Sequence, residues 1–150
     1  MADGKNKLER GFRILFDDSS TNPQDLTEDL IEGTVSGGGL TYDEVDFTGV
    51  SDAVRNFLAG HAESEITAQF HVSDKASTGS HTVLNGQTGK TGTLTLRWGD
   101  SGAVPETGDI EWEGEYVLLE IPYSMSGGKA IITARWKPTG SVAPVFGTVS

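Results

Sequence analysis

Four stretches of this chain repeat with a period of two, and no other feature restricts the possible folds as much. Apolar side chains stand at Phe12, Ile14 and Phe16; at Ile66, Ala68, Phe70 and Val72; at Leu94, Leu96 and Trp98; and at Ala130, Ile132, Ala134 and Trp136, with mostly polar residues between them. Successive side chains of an extended chain point to opposite faces, so each stretch predicts a strand with one face buried and one wet. The segments between carry turn formers: 17–25 with its Asp, Ser, Asn and Pro, the 99–102 turn, Ser124 to Lys129 around Gly127 and Gly128, and Pro138 to Gly140. Pro122 predicts a sheet edge or a strand end. Seven or so strands at modest spacing give a mainly β fold, an antiparallel β-sandwich or flattened barrel with one short α-helix and a long flexible hairpin. A chain of 150 residues, 35% hydrophobic, is long enough to bury one core, so residues 1–150 are expected to form a single domain, with 1–10 as a mobile polar arm.

The expected helix lies near residues 51 to 59. Ser51 is placed to cap it, Asp52 to meet its positive end and Gly60 to terminate it, while Val50, Val54, Phe57 and Leu58 form an apolar stripe. On that reading the helix is a lid over the β-fold and Phe57 is buried beneath it. Upstream, Gly37, Gly38 and Gly39 lose too much chain entropy for regular structure and mark a tip or hinge. Extended character resumes at Leu40, Tyr42, Val45 and Phe47, and the slip in alternation near Asp43 predicts a bulge. Leu26 to Val35 fits a helical stripe and a strand about equally; Gly33 and Thr34 favour strand. The span 73–92 is a polar connection interrupted by the small apolar run His81-Thr82-Val83-Leu84.

Formal net charge is −11, and the acids are segregated. No Lys or Arg falls between Arg13 and Arg55, nor between Asp100 and Glu120. Such surfaces repel phosphates and argue against a nucleic-acid grip. There is no cysteine, hence no disulfide or thiolate metal site. The N-terminal residues lack an apolar signal core and no run is long enough to span a bilayer, so neither export by that route nor membrane embedding is expected.

Chemistry is sparse. Gly86-Gln87-Thr88-Gly89-Lys90-Thr91 has the end of a phosphate-binding loop, but Leu84 stands where the first glycine should be. His61, His71 and His81 are ten apart, a spacing unlike metal-ligand pairing. Asp43, Glu44 and Asp46 lack oxygen ligands at Val45 and Phe47, where a calcium loop would want them. Glu111, Glu113 and Glu115 share one strand face, with no separate pockets to split their pKa values as paired catalytic acids require. No nucleophile elbow occurs. The expectation is no enzyme, no cofactor, no metal and no small-molecule substrate.

The order of elements is the more specific sign. Val45-Asp46-Phe47-Thr48-Gly49-Val50, then Ser51 to Leu58, then Ser64-Glu65-Ile66-Thr67, resembles the tail tube proteins of long-tailed bacteriophages. The likeness continues through His81 to Leu84, Leu94 to Gly99, Gly114 to Leu119 and Pro144 to Val149. It covers about residues 30 to 149. The resemblance, which extends to contractile-tail and type VI secretion tubes, implies a structural virion protein whose hexameric rings stack into a tube for DNA ejection. It implies self-association, contact with tail tip, tape measure and terminator proteins, synthesis in the host bacterial cytoplasm and residence in the virion tail. It makes an assembly hairpin of Gly37, Gly38, Gly39, Leu40, Tyr42, Val45 and Phe47, and makes Asp43, Glu44, Asp46, Glu111, Glu113 and Glu115 candidates for a DNA-repelling lumen. Two alternatives stand beside it: another small virion protein, for head decoration or tail completion, and a carbohydrate-binding β-sandwich using Trp98, Trp112 and Trp136 as platforms. The aliphatic neighbours of each Trp on its strand face favour core positions instead.

Overall fold

The computed structural model describes residues 9–99 and 103–150, and antiparallel strands dominate them. Residues 1–8 of the expected arm and most of the 99–102 turn lie outside the described residues. In chain order the strands are β1 (Phe12–Asp17), β2 (Pro23–Asp25), β3 (Thr41–Asp46), β4 (Phe57–Glu63), β5 (Ile66–His71), β6 (Thr91–Trp98), β7 (Ile110–Glu120), β8 (Tyr123–Ser126), β9 (Lys129–Pro138) and β10 (Val145–Thr148). One short helix, α1 (Ser80–Leu84), precedes β6.

The main sheet has the order β2-β1-β6-β7-β9-β5, with β10 added to the first half of β7 and β8 to the first half of β9. It curls around a single core. The alternating residues meet on the inner face: Phe12, Ile14 and Phe16 from β1, Leu94 and Leu96 from β6, Trp112, Tyr116 and Leu118 from β7, Ile132, Ala134 and Trp136 from β9, and Ile66, Ala68 and Phe70 from β5. Register enforces this, because Ile14 pairs with Leu96, Leu96 with Trp112, Leu118 with Trp136, and Ile66 with Trp136; a slip of one residue in any ladder would turn a whole row outward. Leu26, Val83 and Leu84 close the core from loop and helix.

Curling brings the free edge of β5 against residues 30–36, which are held there by isolated bridges at Leu30 to Phe70 and Ser36 to Thr67. The sheet is therefore not closed into a barrel: β2 and β5 remain its end strands. The expected strand over Leu26 to Val35 is not formed: Thr27–Asp29 is a 3-10 turn, residues 32–33 make a second turn with Gly33 at positive φ, and the segment meets β5 through those bridges, an Ile31 N–H to Gln69 carbonyl bond at 2.9 Å and a Gln69 N–H to Thr34 Oγ1 bond at 3.2 Å. Thr34 explains part of this, since its hydroxyl donates to the Ile31 carbonyl at 2.7 Å and gives the backbone a local alternative to a ladder.

The core contains one polar triangle. Trp112 Nε1 donates to the Tyr116 hydroxyl at 2.9 Å, and that hydroxyl lies 2.9 Å from Ser64 Oγ, so an accepted proton on one side leaves Tyr116 its own to share with Ser64. Burial drives the Tyr116 pKa above its ordinary value, against the two hydrogen bonds.

The helix expected at 51 to 59 is absent. Ser51 to Asn56 form the loop joining β3 to β4, Phe57 begins β4, and the one described α-helix lies instead at Ser80–Leu84, inside the span read as a polar connection. A helix so short is marginal without a surface to lie on, and its apolar stripe finds none here. Phe57 is 54% exposed, which overturns its expected burial.

Candidate assembly surfaces

The segment 41–63 has no place in the core. β3 and β4 pair only with each other, as a separate two-stranded sheet, and nearly every residue of both is exposed. Thr41 opposes Glu63, Tyr42 opposes Ala62, and Val45 opposes Leu58; the register shifts between Tyr42 and Glu44, which is the bulge expected near Asp43. The glycine run stands at the hairpin's base, not at its tip. Gly37, Gly38 and Gly39 all have positive φ, and a Cβ on Gly37 would collide with the Glu65 carbonyl oxygen, so a larger residue there must displace the start of β5. At the same base Lys137 Nζ lies 2.9 Å from Glu63 Oε1 and ties the hairpin to β9. Leu40 and Ala62 line a cleft there with residues 138–144.

The tip is a knot of local hydrogen bonds. Asp52 Oδ2 accepts from Gly49 N at 2.6 Å and from Asn56 Nδ2 at 2.8 Å, while Thr48 Oγ1 accepts from Asn56 N at 2.9 Å. Asp46 accepts from Thr48 N at 2.9 Å and pairs with Arg55 at 2.9 Å. Asp52, read from sequence as the anion at a helix start, does hold one backbone N–H in place, that of Gly49, but it closes a loop with it. Those bonds lower both carboxyl pKa values, Asp46 chiefly through Thr48 and Asp52 chiefly through the Gly49 N–H. The knot presents apolar side chains to solvent: Val50 is fully exposed and Phe47 and Val54 are 68% and 70% exposed. With Tyr42, Val45, Phe57 and Leu58 they make a large apolar surface that nothing in the monomer covers.

The second group of acids lies elsewhere. Glu111, Glu113 and Glu115 are on β7, facing away from the core, so the structure does not unite them with Asp43, Glu44 and Asp46 on the hairpin. Nor are the three alike. Glu111 is paired with Arg97 at 2.6 Å, whereas Glu113 and Glu115 meet only the hydroxyls of Thr95 at 3.4 Å and Thr93 at 2.6 Å. On the same outer face Arg135 pairs with Glu120 at 3.0 Å, and Lys137 reaches Glu65 as well as Glu63. Sequence reading missed these cross-strand pairs because each depends on register, and it missed the exposed residues Val145 and Phe146, which sit on a sheet-edge strand beside Trp112 and Trp98.

Trp112 and Trp136 are 2% and 0% exposed, so neither can stack on a sugar. Among the described residues no group of three or more His, Cys, Asp or Glu is placed to hold a metal ion, and no helix is long and apolar enough to cross a membrane.

No protein-family model and no curated protein sequence matches the chain. Solved structures do match it, over nearly its whole length. A chain of the anti-feeding prophage baseplate, solved with six-fold symmetry, superposes with a TM-score of 0.66 at 13% identity, covering 97% of each chain. The SPP1 tail tube gives 0.64 at 12% identity, covering 96% of this chain and 80% of that one. A chain of the virion of the native gene transfer agent particle gives 0.63 at 14% identity, covering 97% and 100%. At such identities the correspondence is one of fold.

Proposed function

We propose that this chain is a tail tube subunit, a structural protein with no active site whose copies form rings, six to a ring, that stack into a hollow tube. The observation that carries this is the end-to-end match of its fold to chains of a phage tail tube, a gene transfer agent virion and a six-fold baseplate. The exposed hairpin supports it. A two-stranded ribbon is marginally stable alone, and one bearing Tyr42, Val45, Phe47, Phe57 and Leu58 in water belongs against another surface. In this reading Gly37, Gly38 and Gly39 set the angle at which the hairpin leaves, Leu40, Tyr42, Val45 and Phe47 make contact with other copies, and assembly orders the whole element. The partners beyond itself would be tail tip, tape measure and terminator proteins, and DNA would pass without being held.

Purified protein at high concentration, examined by light scattering and negative-stain electron microscopy, is expected to show rings and tubes. A monodisperse monomer at all concentrations overturns the proposal. The baseplate match favours a second position within the same kind of assembly, a ring at the end of a tube. Such a protein would form single rings that never elongate, and the same micrographs separate the two.

A further inference from the structure

We infer that Ser64 is a positioning residue: its buried hydrogen bond to Tyr116 fixes the direction in which the hairpin of β3 and β4 leaves the rest of the protein, before any second copy is met. The consequence for stacking rests on the assembly reading above; the direction itself does not.

Ser64 is a polar residue in an apolar row. The inward positions of β5 are Phe70, Ala68 and Ile66, all fully buried, and Ser64 takes the next place in that alternation at 5% exposure, between Glu63 and Glu65, which face water. A hydroxyl in a core row is a liability unless it has a task, since a small aliphatic side chain would fill the same space. Its partner is on β7. The Tyr116 hydroxyl accepts from Trp112 Nε1 at 2.9 Å and keeps its own proton for Ser64 Oγ, also at 2.9 Å. Three polar side chains thus close on one another inside the core, and withdrawing Ser64 leaves the Tyr116 proton without its acceptor.

The place of this bond gives it a role. Residues 30–36 with β5, and β3 with β4, form one ribbon interrupted by a break. On the core side of the break Ser36 and Thr67 exchange backbone hydrogen bonds at 2.9 and 3.0 Å; on the other side the ladder resumes with Thr41 opposite Glu63. Gly37, Gly38 and Gly39, all at positive φ, let one strand turn in that gap, but glycine has no side chain with which to hold a direction. The bridge from Glu63 to Lys137 joins side chains that are 53% and 37% exposed, so water screens it. Leu40 packs against the core, an attraction without direction. The short, buried, directional bond belongs to Ser64. A swing of the hairpin about the break pulls Ser64 from Tyr116 and orphans a buried hydroxyl, so one direction is favoured over the rest. The lock acts at the root alone. Beyond it the ladder of β3 with β4 can still open, and that opening is what assembly suppresses; a hairpin already aimed loses less freedom when it meets a second copy.

The chain has no cysteine, so two spin labels can be placed without competition, through Val50→Cys at the exposed hairpin tip and Thr82→Cys on the exposed side of α1. Measured in dilute monomer by double electron–electron resonance, the distance between them is expected to have one narrow distribution. Ser64→Ala should broaden it about twofold or more, as the root samples further directions, while the near-ultraviolet circular dichroism of the buried Trp side chains stays native. Tyr116→Phe should broaden it equally, and the double variant no more than either, because both remove the same bond. Ile132→Val, which trims the core away from the root, should leave the width alone. Stacks of Ser64→Ala should need a several-fold higher protein concentration to form. A distribution already broad in the unsubstituted chain overturns the inference, and so do an unbroadened Ser64→Ala, widths that add in the double variant, or equal broadening by Ile132→Val. Should Tyr116→Phe fail to fold, the contrast between Ser64→Ala and Ile132→Val decides. Unchanged stacking by a broadened Ser64→Ala overturns the consequence for assembly. If the unsubstituted chain forms neither rings nor stacks, the assembly reading falls, and the distance widths still decide the lock.

Discussion

At the scale of single residues, the most informative contrast is between two aromatic side chains that look interchangeable in the sequence. Trp136 is fully buried between Phe16 and Phe70, at ring distances of 5.6 and 6.4 Å, whereas Phe57 stands on the hairpin in water. Trp136→Ala is expected to cost about 3–5 kcal/mol in denaturant melts, for lost burial and an unfilled cavity. Phe57→Ala should cost less than about 1 kcal/mol yet weaken assembly, a split that a buried Phe57 would reverse. Tyr116 gives a second expectation, with a defined sign. Its pKa is raised in the fold by burial, so below the unfolded value near 10 both states are protonated and stability does not vary with this group. Above it the unfolded chain loses the proton first, and stability falls as pH rises. Tyr116→Phe should be less stable at neutral pH by about 1–3 kcal/mol, because Trp112 Nε1 and Ser64 lose their partner, yet its alkaline decline should be shallower. Equal alkaline slopes in urea titrations at pH 8 to 11 would assign the titration to another group.

At the scale of elements, what could be read from sequence was what the core repeats. β1, β5, β6 and β9 were legible because their alternation is enforced by one buried face, and the bulge near Asp43 because alternation visibly slips there. The stretch 50–58 was misread for a physical reason. Val50, Val54, Phe57 and Leu58 do fall at helical spacing, but that pattern signals a helix only if the stripe is buried, and here all four side chains are exposed. Asp46, Thr48, Asp52 and Asn56 then decide the local structure through their own hydrogen bonds. α1 escaped notice because five residues give too little of a period to detect. The hairpin's independence from the core predicts its dynamics. Amides of 41–63 should exchange rapidly in the monomer and slow strongly on polymerisation, with those of β6 and β7 protected in both states. Protection of the hairpin in the free monomer would mean that it is already held, and would remove ordering on assembly from the proposal.

At the scale of the whole molecule, the question is how the acids would act if copies closed into a ring. Any side chain turned toward the axis would recur once per subunit, and a narrow channel with low-dielectric walls would sum those charges into one potential. We propose the outer face of β7 as the lining, and its charges are unequal: Arg97 offsets Glu111, while Glu113 and Glu115 have no cation of their own. A passage for DNA that avoids binding needs uncompensated negative charge, because each cation meeting a phosphate releases counterions and becomes a place to stick. Glu113→Lys with Glu115→Lys should therefore leave tubes normal in micrographs, since both side chains are exposed, but make the lumen retain DNA. Release should then depend steeply on salt, and genome delivery by particles carrying the variant should slow or stall. Replacing Glu111 alone should do less to the field and more to the fold, as Arg97 would lose its partner. If doubly substituted tubes neither retain DNA nor impede delivery, the charge on the outer face of β7 does not govern passage.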